Sequence, residues 1–358
     1  MDEDLRWPCM DEHDMTAKQA AVFDLKASWC RGATTWLANI RTIGSVDSVH
    51  DNHEHLSEVQ GGRPFQEDRC TFVLPDQFPS QTNDKLTYFA VYDGHGSELV
   101  SDHASRNLHL LLAKRPEFDQ GDYEAAIRGA LIDEDAVLLE TFNNLTTEPA
   151  VSGSTVALCF VNLTKGDLVV ANLGDSHVIL AERDNRTDHP SHIRRLSKSH
   201  KPDTPDEKAR IEDAGGAVNT RRGTARLGSL NMSRALGDLQ YKNPINNAGD
   251  EYSSSKTRRA SASTSAPETR GNFLSVEPHM TRMTLSPDRR YLVVVTSDGV
   301  SDNIDDATLI HHVMRLSMRG MRAGDIAQEI ATTAAAQKAK EGSDNASCIV
   351  ALLDGQNT

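Results

Sequence analysis

The chain has 358 residues, 38 Lys+Arg against 52 Asp+Glu, and a formal charge of −14. That acidity excludes a nucleic-acid backbone as the main partner, because such binders exchange a basic face for condensed counterions. No apolar run approaches the ~18 residues of a membrane helix, and the acidic stretch Met1–Asp14 lacks the basic start of a secretion signal, so neither a membrane span nor secretion is expected.

The cysteines Cys9, Cys30, Cys70, Cys159 and Cys348 are odd in number and never spaced Cys-x-x-Cys, which fits a reducing, intracellular setting better than a disulfide framework or a zinc knuckle. Residues 1–55 hold all three tryptophans (Trp7, Trp29, Trp36) without a clear period, and read as an appended N-terminal arm with targeting as its candidate role. Residues 56–355 alternate short β-branched runs with helical stretches and read as one domain. Within it, the Asn-, Ser- and Thr-rich segment 243–272 reads as a flexible insertion that buries too little apolar area to fold alone. Strands are predicted at Leu86–Tyr92, Thr155–Val161, Leu168–Asn172, His177–Ala181, Tyr291–Thr296 and Ala346–Leu353. Helices are predicted at Ser97–Lys114, Tyr123–Phe142, Pro205–Asp213, Asp305–Arg319 and Ala323–Lys340. Pro205 after Thr204 suits a helix start, and Gly215-Gly216 a stop. Strands in hairpin-like succession with helices in blocks predict an α+β layered domain with sheets inside and helices outside.

Aspartates punctuate the strand ends. Leu86–Tyr92 runs into Asp93-Gly94-His95-Gly96, Leu168–Leu173 into Gly174-Asp175-Ser176, and Tyr291–Ser297 into Asp298-Gly299, while Asp344-Asn345 precedes Ala346–Leu353. Singly, each is an ordinary turn. Antiparallel pairing would bring the start of the last strand beside the ends of its neighbours, so all four could share one rim. Crowded carboxylates repel unless a cation sits among them, and oxygen-only donors favour hard ions such as Mg²⁺ or Mn²⁺. Gly94 and Gly96 would let backbone approach an ion closely, and the Gly94 carbonyl could itself be a ligand. If Phe65–Val73 is a strand, Arg63 and Glu67 share one face and Asp68 the other, making Glu67 the better ligand candidate and Asp68 a supporting group. Arg63 offers a planar fork suited to phosphate oxygens. His95, alone among the fourteen histidines, falls inside this candidate site, with a pKa range suited to protonating a leaving alkoxide.

With those residues in place, the chain resembles a metal-dependent type-2C Ser/Thr protein phosphatase of the PPM family. The matching blocks are Gly62-Arg63 with Glu67-Asp68, Phe89–Gly96, Ser152–Thr155, Ala171–Ser176, His200-Lys201-Pro202 with Glu207, Arg210-Ile211 and Gly215-Gly216, Ser233–Asp238, Val295–Gly299 and Asp344-Asn345. They run in family order over more than four-fifths of the chain. The resemblance implies a central antiparallel β-sandwich flanked by helices on both faces, an α-β-β-α layering with a two-metal site at the sandwich edge. Carried over residue by residue, Glu67, Asp93 and the Gly94 carbonyl would hold one Mg²⁺ or Mn²⁺, and Asp93, Asp298 and Asp344 the other. Asp68 would hold a metal-bound water, Asp175 with Asp298 would match a weaker third-ion site, Arg63 would hold the substrate phosphate, and His95 would be the general acid. The implied reaction is attack of a bridging metal hydroxide, between cations about 4 Å apart, on phosphoserine or phosphothreonine in proteins. No covalent phosphoenzyme is needed, so Cys70, Cys159 and Cys348 are expected to be packing residues.

Two positions depart from the family habit: Ser301 stands where an aromatic is usual and His177 where an arginine is. An inactive family member serving as a binding module is the alternative, disfavoured because every metal carboxylate is retained; a two-metal nuclease is disfavoured by the acidic charge. Arg258-Arg259-Ala260-Ser261 resembles a basophilic kinase site, whose phosphorylation at Ser261 is expected to alter access to the neighbouring flap. A monomer is expected, in cytoplasm or nucleus. The stretch from Met15 to Ser45, basic with only Asp24 acidic, makes mitochondria the alternative if translation starts at Met15 or the arm is a transit peptide.

Overall fold

The structure, a computed structural model, describes residues 63–184, 190–246, 271–337 and 343–355, and the backbone of 23–31 and 34–36. Met15, the Arg258–Ser261 motif and the core of the 243–272 segment lie outside the described residues. In chain order the elements are β1 (Phe23–Arg31), β2 (Thr34–Trp36), β3 (Arg69–Val73), β4 (Leu86–Tyr92), β5 (Gly94–His95), α1 (Leu99–Ala113), α2 (Pro116–Asp119), α3 (Tyr123–Asn144), α4 (Glu148–Val151), β6 (Gly153–Ser154), β7 (Val156–Asn162), β8 (Asp167–Leu173), β9 (His177–Asp184) and β10 (Pro190–Arg195). There follow α5 (Pro205–Asp213), β11 (Val218–Arg221), β12 (Thr224–Leu227), β13 (Leu236–Gly237), a 3₁₀ turn (Leu239–Tyr241), β14 (His279–Thr284), β15 (Arg289–Thr296), α6 (Asp298–Ser301), α7 (Asp306–Met318), α8 (Ala323–Gln337) and β16 (Ser347–Gly355).

Two sheets carry the fold, in the orders β10-β9-β15-β16-β1-β2 and β14-β8-β7-β4-β3, with every paired neighbour antiparallel. β7 reads Val-Ala-Leu-Cys-Phe-Val-Asn and is buried throughout because both of its faces are covered. Its Ala157, Cys159 and Val161 pack between the sheets, while Val156, Leu158 and Phe160 pack under α1 and α3. On the other sheet Tyr291, Val293 and Val295 of β15 face the sandwich interior, and Leu292 and Val294 meet α7 and α8. The result is the expected α-β-β-α layering. Each fully buried Leu, Val or Phe contributes about 1.5–3 kcal/mol over its exposed state. Cys70, Cys159 and Cys348 are buried and joined in no disulfide among the described residues, as packing residues would be. Within the segment read from sequence as an arm, β1 pairs along its whole length with β16, from Phe23 opposite Gly355 to Arg31 opposite Ser347.

A smaller apolar cluster of Ile211, Leu227, Leu230, Met232, Tyr241 and Phe273 packs α5 against the β11–β12 hairpin. It is joined to the body by ions. Glu207 of α5 accepts from Arg210 Nη2 at 2.9 Å and Ser233 Oγ at 2.7 Å, and it also pairs with the Arg234 guanidinium.

Candidate metal–phosphate site

Register alone gathers the carboxylates. β4 and β8 both run antiparallel to β7, so their C-terminal ends, leading into Asp93 and Gly174-Asp175, lie at the same end of one sheet. Arg69 opens β3 opposite Tyr92, which sets Glu67 and Asp68 beside the end of β4. In the other sheet Cys348 of β16 faces Thr296 of β15, so Asp344, just before β16, meets Asp298, just after β15.

The expected strand over Phe65–Val73 begins only at Arg69, so Glu67 and Asp68 do not alternate on strand faces. Their backbone is instead tied across the rim. Asn345 accepts from Glu67 N–H at 2.9 Å and donates to Phe65 O at 3.1 Å, while Arg69 Nη1 donates to the carbonyls of Gln66 and Asp68 at 2.7 and 2.9 Å. Asp68 ends up 1% exposed and Glu67 half-buried. Gly94 is hemmed in by protein: a Cβ there would lie 2.3 Å from Glu67 O and 2.6 Å from Ser101 Oγ. Asp298 opens α6, and its N–H lies 3.5 Å from Asp93 Oδ2. Thr155 braces Asp93 by accepting its N–H at 3.2 Å and donating its own N–H to Asp93 O at 2.9 Å.

The electrostatics are those of a crowd. Burial pushes the Asp93 carboxyl well above its ordinary value, and Asp298, Asp68, Asp175 and Asp344 push it further. Burial, then Asp175, Asp344, Asp302 and Asp68, push Asp298 up to about 7. Glu67 is raised by burial although Arg63 and His95 oppose the shift. Among the described residues, no three of these side chains stand close enough to grip an ion as now arranged. They sit within Coulomb range rather than ligating range, and a cation drawn between them would relieve the repulsion. The donor set fits a hard divalent ion: it is all oxygen, and the Oδ1 of Asp175, itself 2% exposed, is buried with no hydrogen-bond partner among the described residues.

Arg63 lies at the rim, its Nη2 donating to Asp344 Oδ2 at 2.7 Å, both side chains substantially exposed. His95 Nε2 meets Asp238 Oδ2 at 2.6 Å. Three groups received no role from the sequence. Asp238 closes the Ser233–Asp238 block, Lys201 pairs its ammonium with Asp175, and Asn345 latches the Arg63–Asp68 loop. All three sit inside or beside matched blocks, and that proximity was their only signal. His200, the neighbour of Lys201, accepts the Gly174 N–H on Nδ1 at 3.1 Å, which holds the turn that presents Asp175.

An antiparallel sandwich with a rim of oxygen donors and an arginine at its edge defines an α+β protein with a candidate cation site at the sandwich edge. The sequence profile described as Protein phosphatase 2C matches residues 52–343. Protein phosphatase 2C homolog 3 of Schizosaccharomyces pombe is 31% identical over 302 residues, 83% of this chain and 64% of that protein. Protein phosphatase 2C homolog 2 of Aspergillus flavus is 30% identical over 73% of this chain and 53% of that one. The crystal structure of a serine-threonine phosphatase 2C from Toxoplasma gondii superposes with a TM-score of 0.64 at 20% identity, covering 82% of this chain and 92% of that one. The chain belongs to the protein phosphatase 2C family, and it spans roughly half to two-thirds of the length of these two curated relatives.

Proposed function

We propose that the chain is a metal-dependent protein serine/threonine phosphatase. The observation that carries this is the crowding at the rim: Asp93 and Asp298, raised by burial and by their acidic neighbours, form a site whose repulsion added cations would relieve. Two Mg²⁺ or Mn²⁺ ions, with a weaker third, would be held by Glu67, Asp93, the Gly94 carbonyl, Asp298 and Asp344, with Asp68 and Asp175 supporting, and would supply Lewis acidity toward the phosphate oxygens and a lowered pKa for attacking water. Arg63, now on Asp344, is the side chain a phosphate dianion would draw away, binding it through two parallel N–H donors. His95 would give its proton to the departing Ser or Thr oxygen as the ester bond breaks. A cysteine nucleophile does not suit the site: Cys159 is fully buried, and burial holds its thiol well above the ordinary value. Substrates would be phosphorylated proteins.

The test is phosphate release from a phosphothreonine peptide with Mn²⁺, with Mg²⁺ and with EDTA, alongside Asp298→Asn. Release that needs the metal and disappears in the variant is expected. Release that survives EDTA, or that the variant retains, would overturn the reading.

A further inference from the structure

Asp238 stands 143 residues from His95 in sequence, and its side chain is 1% exposed. A three-stranded sheet, β13-β6-β5, makes the two meet. His95 of β5 faces Gly153 of β6, and Gly237 of β13 faces the same glycine from the other side. Gly153 is required there, since a Cβ would come within 2.1 Å of Asp238 Oδ2 and 2.7 Å of His95 Nε2. Asp238 itself takes a left-handed backbone, φ 48° and ψ 41°, a conformation costing roughly 1 kcal/mol for a residue with a side chain. Its surroundings hold it there. Asp238 N–H donates to Ser152 O at 2.8 Å, and the preceding Gly237 N–H donates to Asp135 Oδ1 of α3 at 2.9 Å. Lys242 Nζ then bridges Asp135 and the Ala235 carbonyl, the latter at 2.7 Å. Backbone strain, a buried anchor and an obligatory glycine converge on one side-chain contact. Asp238 Oδ1 has no hydrogen-bond partner among the described residues, so Oδ2 on His95 is where this carboxylate acts.

We propose that Asp238 is a positioning residue for dephosphorylation: it accepts the His95 Nε2–H, fixes the ring plane and tautomer, and leaves Nδ1 as the nitrogen that gives up a proton. The proposal rests on the phosphatase reading above. In the step, the bond from the attacking water oxygen to phosphorus forms. The ester P–O bond breaks with its electron pair going to the seryl or threonyl oxygen, and that oxygen takes the Nδ1 proton. Neutral imidazole remains, its Nε2–H still on Asp238. His95 Nδ1 is buried and has no hydrogen-bond partner among the described residues, so no described protein group competes for its proton.

The experiment compares kcat of the Mn²⁺-loaded wild type with Asp238→Asn, His95→Ala, the double variant and Gly153→Ala. Two substrates are used, a phosphothreonine peptide and 4-nitrophenyl phosphate, whose leaving group has a pKa of about 7 and departs without a proton donor. Asparagine tolerates the left-handed backbone, so the fold is expected to hold, and thermal melting checks it. Asp238→Asn is expected to lower kcat on the peptide by about 10- to 100-fold, on 4-nitrophenyl phosphate by less than about 3-fold, and to cost nothing more in the His95→Ala background. Gly153→Ala, which intrudes on the pair without removing a polar group, should show the same split. Equal losses on both substrates, an unchanged kcat, or a full further loss on top of His95→Ala would each overturn the proposal. A wild type inactive on the peptide would instead overturn the phosphatase reading and take the proposal with it.

Discussion

At the rim, Asp93 and Asp298 face Asp68, Asp175 and Asp344, and burial together with those charges drives their carboxyls upward, Asp298 to about 7. Under α5, Glu207 is 2% exposed, yet its carboxyl is held down at about 2: burial works against ionisation there, but Arg234, Ser233 and Arg210 outweigh it. Both places bury acids. Glu207 came with its counter-charges, as a group that holds a fold together does, whereas Asp93 and Asp298 are surrounded by further acids, as a site awaiting cations is.

The comparison breaks most sharply with Asp93→Asn. Activity on a phosphopeptide should fall at least ~10³-fold, while the metal-free protein should melt higher, by a few degrees at about 1 kcal/mol of relieved repulsion. A variant that melts lower without metal would mean that the rim charges are compensated by protein after all. Glu207→Gln should do the reverse, costing about 3–5 kcal/mol in urea denaturation because Arg210 and Arg234 lose a buried partner. Divalent cation sharpens the contrast. Mg²⁺ at about 100 times its dissociation constant should stabilise the wild type by about 2.7 kcal/mol and Glu207→Gln by the same increment, but Asp93→Asn scarcely at all.

A milder test uses pH. Burial holds His200 down at about 3; burial and Arg195 hold His177 at about 4, both from an ordinary 6.5. For groups kept neutral in the fold, stability is fully present above 6.5 and is lost as pH falls toward the folded values, because the unfolded chain binds the protons first. Glu207, ordinarily near 4.5, begins to cost stability only below that pH. With the rim saturated with Mg²⁺, so that Asp93 and Asp298 stay ionised across this range, stability in urea should therefore drop between pH 7 and 5 by on the order of 2 kcal/mol for each histidine, with Glu207 silent in that window. A flat profile from 7 to 5 would contradict the burial of both rings.

Much of this was legible in the chain. Pro205–Asp213 is helical as read, and Leu86–Tyr92 is a strand as read, because their signals are local: a proline at the first turn, an unbroken apolar run. β10 and β14 escaped because both are edge strands with polar, partly exposed faces that carry no apolar period. The predicted start of β3 was four residues early, since the bonds that shape Phe65–Asp68 come from Asn345, some 280 residues away. At the site, sequence could name the acids, because turns after strands are local features. It could not pair His95 with Asp238, because that depends on how three two-residue strands align around Gly153.

The smallest effect is expected on the same helix as one of the largest. Glu212 of α5 stands 3.9 Å from Lys208 one turn away, with both side chains about half exposed. Water screens such a pair, and ordering two long side chains cancels much of the attraction, so Glu212→Gln should shift stability by less than about 0.5 kcal/mol. Glu207, five residues earlier, differs in burial and in having two arginines that reach it from different directions. If Glu212→Gln cost as much as Glu207→Gln, helix α5 would depend on its total charge, and the buried cluster would lose its distinction. If only Glu207 matters, the carboxylate's surroundings set its worth, which is the same reason Asp93 and Asp298, among their acidic neighbours, read as a site.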